Sequence, residues 1–303
     1  MIYNWQYEGK QEILLRTFLR DKGMSKKLLA QVKYHGGNIY LNEKERTVLA
    51  KVGQGDRVTV HVPDEGEHET LVPVDLPVDI LFEDEHFLIV DKPTGVVSIP
   101  SKKNPHLSMA NRVKGYYKKR NYADQIIHIV TRLDRDTTGL MLFGKNRFSH
   151  ALMDKQLQAK SIERIYYAIL SNKDALPEKH GFIDAPIGRT DDSIINRMVR
   201  EDGKAALTEY WIVENFPEGQ LVRIKLHSGR THQIRVHFAH IGAPLIGDTL
   251  YGGPLDPLIE RQALHCKYLN FINPFTGEDL QLEAAFPDDF TAWMDNQRSK
   301  GDV

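Results

Sequence analysis

Apolar and polar residues alternate over many short runs of the chain and repeat every three or four positions over fewer. Period two marks a half-buried strand, and a period of 3.6 marks an amphipathic helix. Near the start, Ile13, Leu14 and Phe18 fall at helical spacing and Gly23 interrupts. Ser25 then stands where an N-cap would open a second helix, KKLLAQVKY, which Gly36 and Gly37 stop. NIYLNEK alternates with Ile39 and Leu41 on one face, and RVTVHV follows a turn at 53–56. Residues 11–63 thus predict two helices and short strands, a unit too small for much chemistry.

Residues 64–78 are acidic, contain prolines and predict a linker. Beyond them, apolar runs at 80–82 and 87–90, parted by Glu83-Asp84-Glu85-His86 and ended by Lys92-Pro93, predict a hairpin with a kinked exit. GLMLFGK, ERIYYAIL, ALTEYWIVENF, LVRIKLHSG and LNFINP predict further strands, with helical periodicity over 106–120, 149–159 and 231–241. Strands outnumber helices and do not alternate with them one for one. Residues 79–295 therefore predict a mixed, largely antiparallel α+β domain.

The 303 residues and 41% hydrophobic content agree with two globular units. Cys266 is the single cysteine and cannot form an internal disulfide, and MIYNWQYEGK has no secretory pattern. No run approaches the roughly 18 apolar residues of a membrane span. A cytoplasmic protein without membrane contact is expected, and a monomer. The net charge of −1 conceals segregation: residues 11–63 hold ten Lys/Arg against five Asp/Glu, and 102–164 hold fourteen against five. Between them, 64–85 has acids and no Lys or Arg. Two basic blocks with interleaved aromatics, as in KGYYKKRNY, point to nucleic acid. In the first block Arg16, Arg20, Lys26, Lys27 and Lys33 would gather on the helix pair and neutralise phosphates without reading sequence.

Candidate chemistry lies in IVTRLDRDTTGLMLFGKN, where Asp134 precedes a turn, Asp136-Thr-Thr-Gly139, leading into a strand. Spacing alone leaves open whether Asp134 and Asp136 serve a site or pair with Arg132 and Arg135. No GxSxG motif occurs, and no GxxxxGK[ST] phosphate loop. His227, His232, His237 and His240 lack HExxH spacing, so no metal site is expected. In HSGRTHQIRVHFAHIGAPLIGDTLYGG, Ser228 or Thr231 would cap a helix with an Ile234, Phe238, Ile241 stripe. Arg230 would then stand at its entrance, able to meet a buried carboxylate in a bidentate pair.

EDEHFLIVDKP, RLDRDTTGL, RIYYA, SGRTHQIRVH and GAPLIGDTLYGG, in this order across about residues 79–290, resemble the motifs of the RluA-type pseudouridine synthases. RQALHCKYLNFINPFTGE is similar to that family's closing segment, and residues 11–63, through Gly23, Ser25-Lys26-Lys27, Gly36-Gly37 and GDRV in that order, resemble an S-four RNA-binding domain. The resemblance implies a pseudouridine synthase fold carrying a small N-terminal S-four-like α/β domain. It implies that Asp134 is the catalytic carboxylate, that Arg132 replaces the flipped uridine in the RNA stack, and that Tyr166 packs on the uracil. Period two puts Tyr167 on the opposite face. Arg230 is the natural partner of Asp134, with Arg235 as second choice, and Thr138, His232 and Gln233 complete the expected substrate contacts. Thr131, Arg164 and Thr138 depart from the family's usual His, Lys and Ser.

The implied reaction is isomerisation of uridine in RNA, which needs neither cofactor nor metal. Ribosomal RNA is the first expectation and transfer RNA the alternative. Asp134 either attacks covalently or removes a ribose proton to leave a glycal. A non-catalytic RNA binder and a hydrolase using Asp134 with Asp136 are the readings from other classes. Loss of activity with retained binding in an Asp134→Asn variant separates the binder, and a water-derived product would mark the hydrolase.

Overall fold

The computed structural model describes residues 1–67, 70–102, 104–172, 176, 178–191, 193 and 195–301. The chain opens with β1 (Ile2–Gln6) and a short β2 (Ile13–Leu14), then α1 (Leu15–Asp21) and α2 (Lys26–Tyr34). β3 (Asn38–Leu41), β4 (Lys44–Glu45), β5 (Lys51–Val52) and β6 (Arg57–His61) complete the unit. Ser25 caps α2 as its position predicts, accepting from Leu28 N at 3.1 Å. Ile13 and Leu14 are extended rather than helical, because they pair with Val52 and Lys51. The unit also starts earlier than residue 11: β1 pairs along its whole length with β6, in a sheet ordered β1-β6-β3-β4.

The second unit runs through β7 (Asp79–Glu83), β8 (Phe87–Lys92), α3 (Met109–Lys119), β9 (His128–Ile129), β10 (Thr138–Gly144), α4 (Arg147–Gln158) and β11 (Glu163–Leu170). β12 (His180–Asp184), β13 (Ile187–Arg189), β14 (Arg197–Val199), β15 (Leu207–Phe216) and β16 (Gly219–Leu226) follow. α5 (Gln233–His240), β17 (Leu264–Ile272), β18 (Asp279–Glu283) and α6 (Asp288–Gly301) end it. The central sheet is ordered β12-β15-β16-β11-β17-β10-β8-β7, and β9 and β18 join at β10 and β17. Its named pairings are antiparallel except β10 with β17. This is the mixed α+β architecture expected. Among the described residues no helix is long and apolar enough to cross a membrane.

The two units share packing. Phe148 on α4 sits in the N-terminal core, edge-on to Tyr3 with ring centroids 4.9 Å apart. Asn146 caps α4 through Ser149 N at 2.9 Å and accepts from the Tyr3 hydroxyl at 3.3 Å. The acidic segment expected to be a linker packs as a strap on the second unit, because its carboxylates and carbonyls find partners there. Glu65 meets His128 and Arg147, Glu67 meets Lys114, and the Val72 carbonyl accepts from Asn111.

The parallel contact of β10 with β17 positions the chemistry. Thr138 and Gly139 pair with His265 and Cys266, and Tyr166 of β11 faces Cys266 from the other side. Gly139, Cys266 and Tyr166 therefore form one row, which brings the loop before β10 beside Tyr166. Gly139 has φ +106°, and a Cβ there would lie 2.2 Å from the Cys266 carbonyl oxygen. Only glycine permits this approach.

Asp91 on β8 lies directly opposite Asp79 on β7, and cross-strand like charges are destabilising. Burial, then the Asp79 charge, raise its carboxyl to about 6. Above pH 6 the ionised form bears the full cost; between 6 and the unfolded value near 4 the folded chain takes up the proton, and the cost fades. Asp91→Asn should therefore raise Tm by a few degrees at pH 8, a gain that vanishes by pH 4. Thermal melts across that range check it.

Candidate functional site

A cleft of about 820 Å³ opens where the loop before β10, the start of β11 and the start of α5 converge. Asp134 and Tyr166 both line it, the aspartate side chain 28% exposed and the tyrosine buried. Several long-range bonds hold the Asp134 loop. Ser98 Oγ donates to the Leu133 carbonyl at 2.6 Å and accepts from Leu133 N at 3.0 Å. Lys92 Nζ donates to the carbonyls of Pro93, Val96 and Arg135 at 2.7–2.8 Å, which uses all three protons of an ammonium. Burial pulls that ammonium down to about 7. Arg261 Nη1 donates to the Asp136 carbonyl at 3.0 Å. These partners lie 35 or more residues away from the loop, and no local pattern marks them.

Asp134 and Asp136, alike in sequence, separate here. Asp136 is bracketed by the neighbouring Arg135 at 2.8–3.0 Å. Asp134 instead meets Arg235 Nη1 at 3.4 Å. Arg235 is anchored by a bidentate pair with Asp248, both contacts 2.7 Å, and its guanidinium lies 4.9 Å from the Tyr251 ring centroid. Burial works against the charge on Arg235, but the Asp248 carboxylate outweighs it and keeps the guanidinium charged. One cation thus spans a buried structural carboxylate and an accessible one.

Next to it, His232 Nδ1 lies 2.7 Å from the Tyr251 hydroxyl, which accepts from Arg197 N at 3.1 Å. The other ring nitrogen, Nε2, points at Asp134 Oδ2, 3.9 Å away. Burial lowers the His232 pKa and keeps the ring neutral. Tyr166 presents a phenol that burial holds un-ionised. A carboxylate beside a flat buried ring, a fixed guanidinium and a neutral imidazole can grip a planar polar base next to a reactive anion.

The family model for RNA pseudouridylate synthase matches residues 86–240, which contain Asp134, Tyr166 and Arg235. An uncharacterized RNA pseudouridine synthase, YjbO of Bacillus subtilis, is 41% identical over 277 residues, covering 91% of this chain and 96% of that protein. The chain belongs to the RNA pseudouridylate synthase family. The ribosomal large subunit pseudouridine synthase D of Pseudomonas aeruginosa is 38% identical over 80% of this chain and 78% of its own. The solved human RNA pseudouridylate synthase domain containing 4 matches 73% of the chain and 93% of its own at TM-score 0.60 and 20% identity, a likeness of fold. The protein is thus an isomerase of the RluA type that converts uridine to pseudouridine in RNA.

Several expected contacts of the synthase fall differently in space. Arg230 lines the cleft but is exposed and donates Nε to the Ala205 carbonyl at 3.0 Å; the partner of Asp134 is Arg235. The reason is the helix start. Neither Ser228 nor Thr231 caps α5; the chain turns through His232 at φ +57°, and α5 begins at Gln233, which directs Arg235 inward. Gln233 lines the cleft but spends its amide on that turn, accepting from Ser228 Oγ and Arg230 N and donating to Leu207 O and Thr208 Oγ1, so it braces the loop. Thr138 is buried and lies 2.9 Å from His265 Nδ1, outside the cleft lining. Thr131 does line the cleft, and its Oγ1 accepts from Leu142 N at 2.9 Å.

Arg132 and His232 do line the cleft, and Tyr167 packs with Phe286 on the far face as alternation requires. The histidines disperse: His227 goes to Glu209, and His237 to Thr208 and the Ala185 carbonyl. Arg16, Arg20, Lys26, Lys27 and Lys33 are all exposed on α1 and α2. Asp248 and Tyr251 were missed, although a lone Asp and Tyr within GAPLIGDTLYGG were the available signal.

Proposed function

We propose that this synthase isomerises uridine in large-subunit ribosomal RNA, with Asp134 as its catalytic carboxylate. The observation that carries the reading is the ion pair of Asp134 with the doubly anchored Arg235 in a cleft floored by Tyr166. The target uridine would leave the helix, at a cost of a few kcal/mol, and place uracil against Tyr166. Arg132, exposed at the rim, would occupy the vacated position in the stack. Asp134 then either attacks covalently or abstracts a ribose proton to leave a glycal, and a ring carbon rejoins the ribose after the base turns. Arg235 orients the carboxylate for either route, and His232 Nε2 faces the same oxygen and is placed for a hydrogen bond to the base or ribose.

The relatives with ribosomal large-subunit names support the choice of RNA. The N-terminal unit, with its order of two helices and short strands and five exposed cations, is read as an S-four-like RNA-binding module that positions the substrate through phosphates. Pseudouridine mapping of total RNA from a strain lacking the gene tests both points. Sites absent from large-subunit ribosomal RNA should return with the wild-type protein. They should return at less than about a tenth of the level with Arg16, Arg20, Lys26, Lys27 and Lys33 all replaced by Gln, since several phosphate contacts act together. Sites missing from transfer RNA alone would move the reading to that class.

A further inference from the structure

Beside the cleft lies a second cavity of about 480 Å³, within the roughly 300–1,000 Å³ of small-ligand sites. The two share Leu157, Arg164, Leu226, Gly229 and Arg230, so their common border carries two guanidiniums. Arg164 is half-buried, and its Nε has no hydrogen-bond partner among the described residues. Its Nη2 lies against Gly229, where a Cβ would approach to 3.5 Å. Arg230 spends Nε on the Ala205 carbonyl. Among the described residues neither arginine is paired with a carboxylate.

The cavity beyond is cationic with an apolar wall. Lys160 lines it and is exposed, while Lys225 is neutralised by Glu163, which leaves Asp184 as the acid of the lining without such a pair. Ile162, Leu157 and Leu226 supply apolar surface. A desolvated guanidinium edge requires an acceptor, and a phosphodiester matches the planar fork. A phosphodiester also joins two consecutive nucleotides, so two cavities meeting at a pair of arginines have the layout that two neighbouring nucleotides need.

We propose that the second cavity is a subsite for the nucleotide adjoining the target uridine, with Arg164 and Arg230 clamping the phosphate between them. The proposal rests on the reading of the first cleft as the uridine site. It narrows the substrate class to uridines in loops or bulges whose neighbour also leaves the stack.

The test uses the full-length protein and a stem-loop RNA carrying a uridine found by mapping. The neighbour on the 5′ or the 3′ side is replaced by an abasic ribose, and kcat/KM is measured. One of the two substitutions should lower wild-type kcat/KM about tenfold, mainly through KM, the scale of a lost base contact. Ala205→Trp, which fills the cavity from its exposed rim, should lose a similar factor on intact RNA and show no added loss on the abasic RNA. An enzyme that modifies the RNA yet is indifferent to both abasic positions overturns the subsite and leaves the uridine site standing. Failure to modify any RNA overturns both.

Discussion

Asp134→Asn eliminates pseudouridine formation, lowering turnover by about a thousandfold or more, or ~4 kcal/mol of barrier, while RNA affinity stays within about twofold. The amide keeps the shape of the carboxylate but can neither attack a ribose carbon nor take a ribose proton. The fold should not suffer, since Arg235 retains its bidentate partner Asp248 and the loop keeps its bonds to Ser98, Lys92 and Arg261. Tritium released from the uracil C5 position measures turnover, and a filter-binding titration measures affinity. A variant that still turns over at a tenth of the wild-type rate would remove Asp134 from the reaction. Loss of binding in step with activity would recast it as an RNA contact.

The second large effect is at Arg235. Arg235→Met strands the Asp248 carboxylate, whose side chain is 1% exposed, and breaking a buried pair by removing one partner costs about 3–5 kcal/mol. A drop in Tm of roughly 10 °C accompanies a cost of that size, together with loss of activity. Arg230→Met removes an exposed side chain that meets no carboxylate, so its Tm should stay within about 2 °C. The contrast decides between the arginine the sequence favoured and the one the fold selects. Replacing Arg235 and Asp248 together by Met and Leu should recover much of the lost stability, since an apolar pair of like volume is often no worse than a buried ion pair. Activity should stay absent, because Asp134 then has no cation. Equal Tm losses at 230 and 235, or activity in the double variant, would refute this assignment.

Much of the framework was legible in the sequence. Alternation placed Tyr166 and Tyr167 on opposite faces of β11, helical spacing located α2 through α5 to within a few residues, and Ser25 announced its own cap. The ordered motifs from 86 to 240 carried the family. These signals are legible because strand pleat and helix pitch are set by neighbours a few residues apart, so the side-chain pattern records them directly.

Tertiary structure decided the wiring of the site. Asp134 and Arg235 are 101 residues apart, and the choice of Arg235 over Arg230 depends on a left-handed turn at His232 that no periodicity predicts. Gln233 and Thr138 look like substrate contacts in sequence, yet their hydrogen bonds go to Thr208 and His265 across the fold. The acidic stretch reads as a linker until Lys114 and Arg147 give its carboxylates partners. Charges and hydrogen-bond donors find partners by proximity in a desolvated interior, where an unpaired group is costly. Sequence spacing carries no record of that proximity, so the residue types of the site came from the sequence and their pairings from the fold.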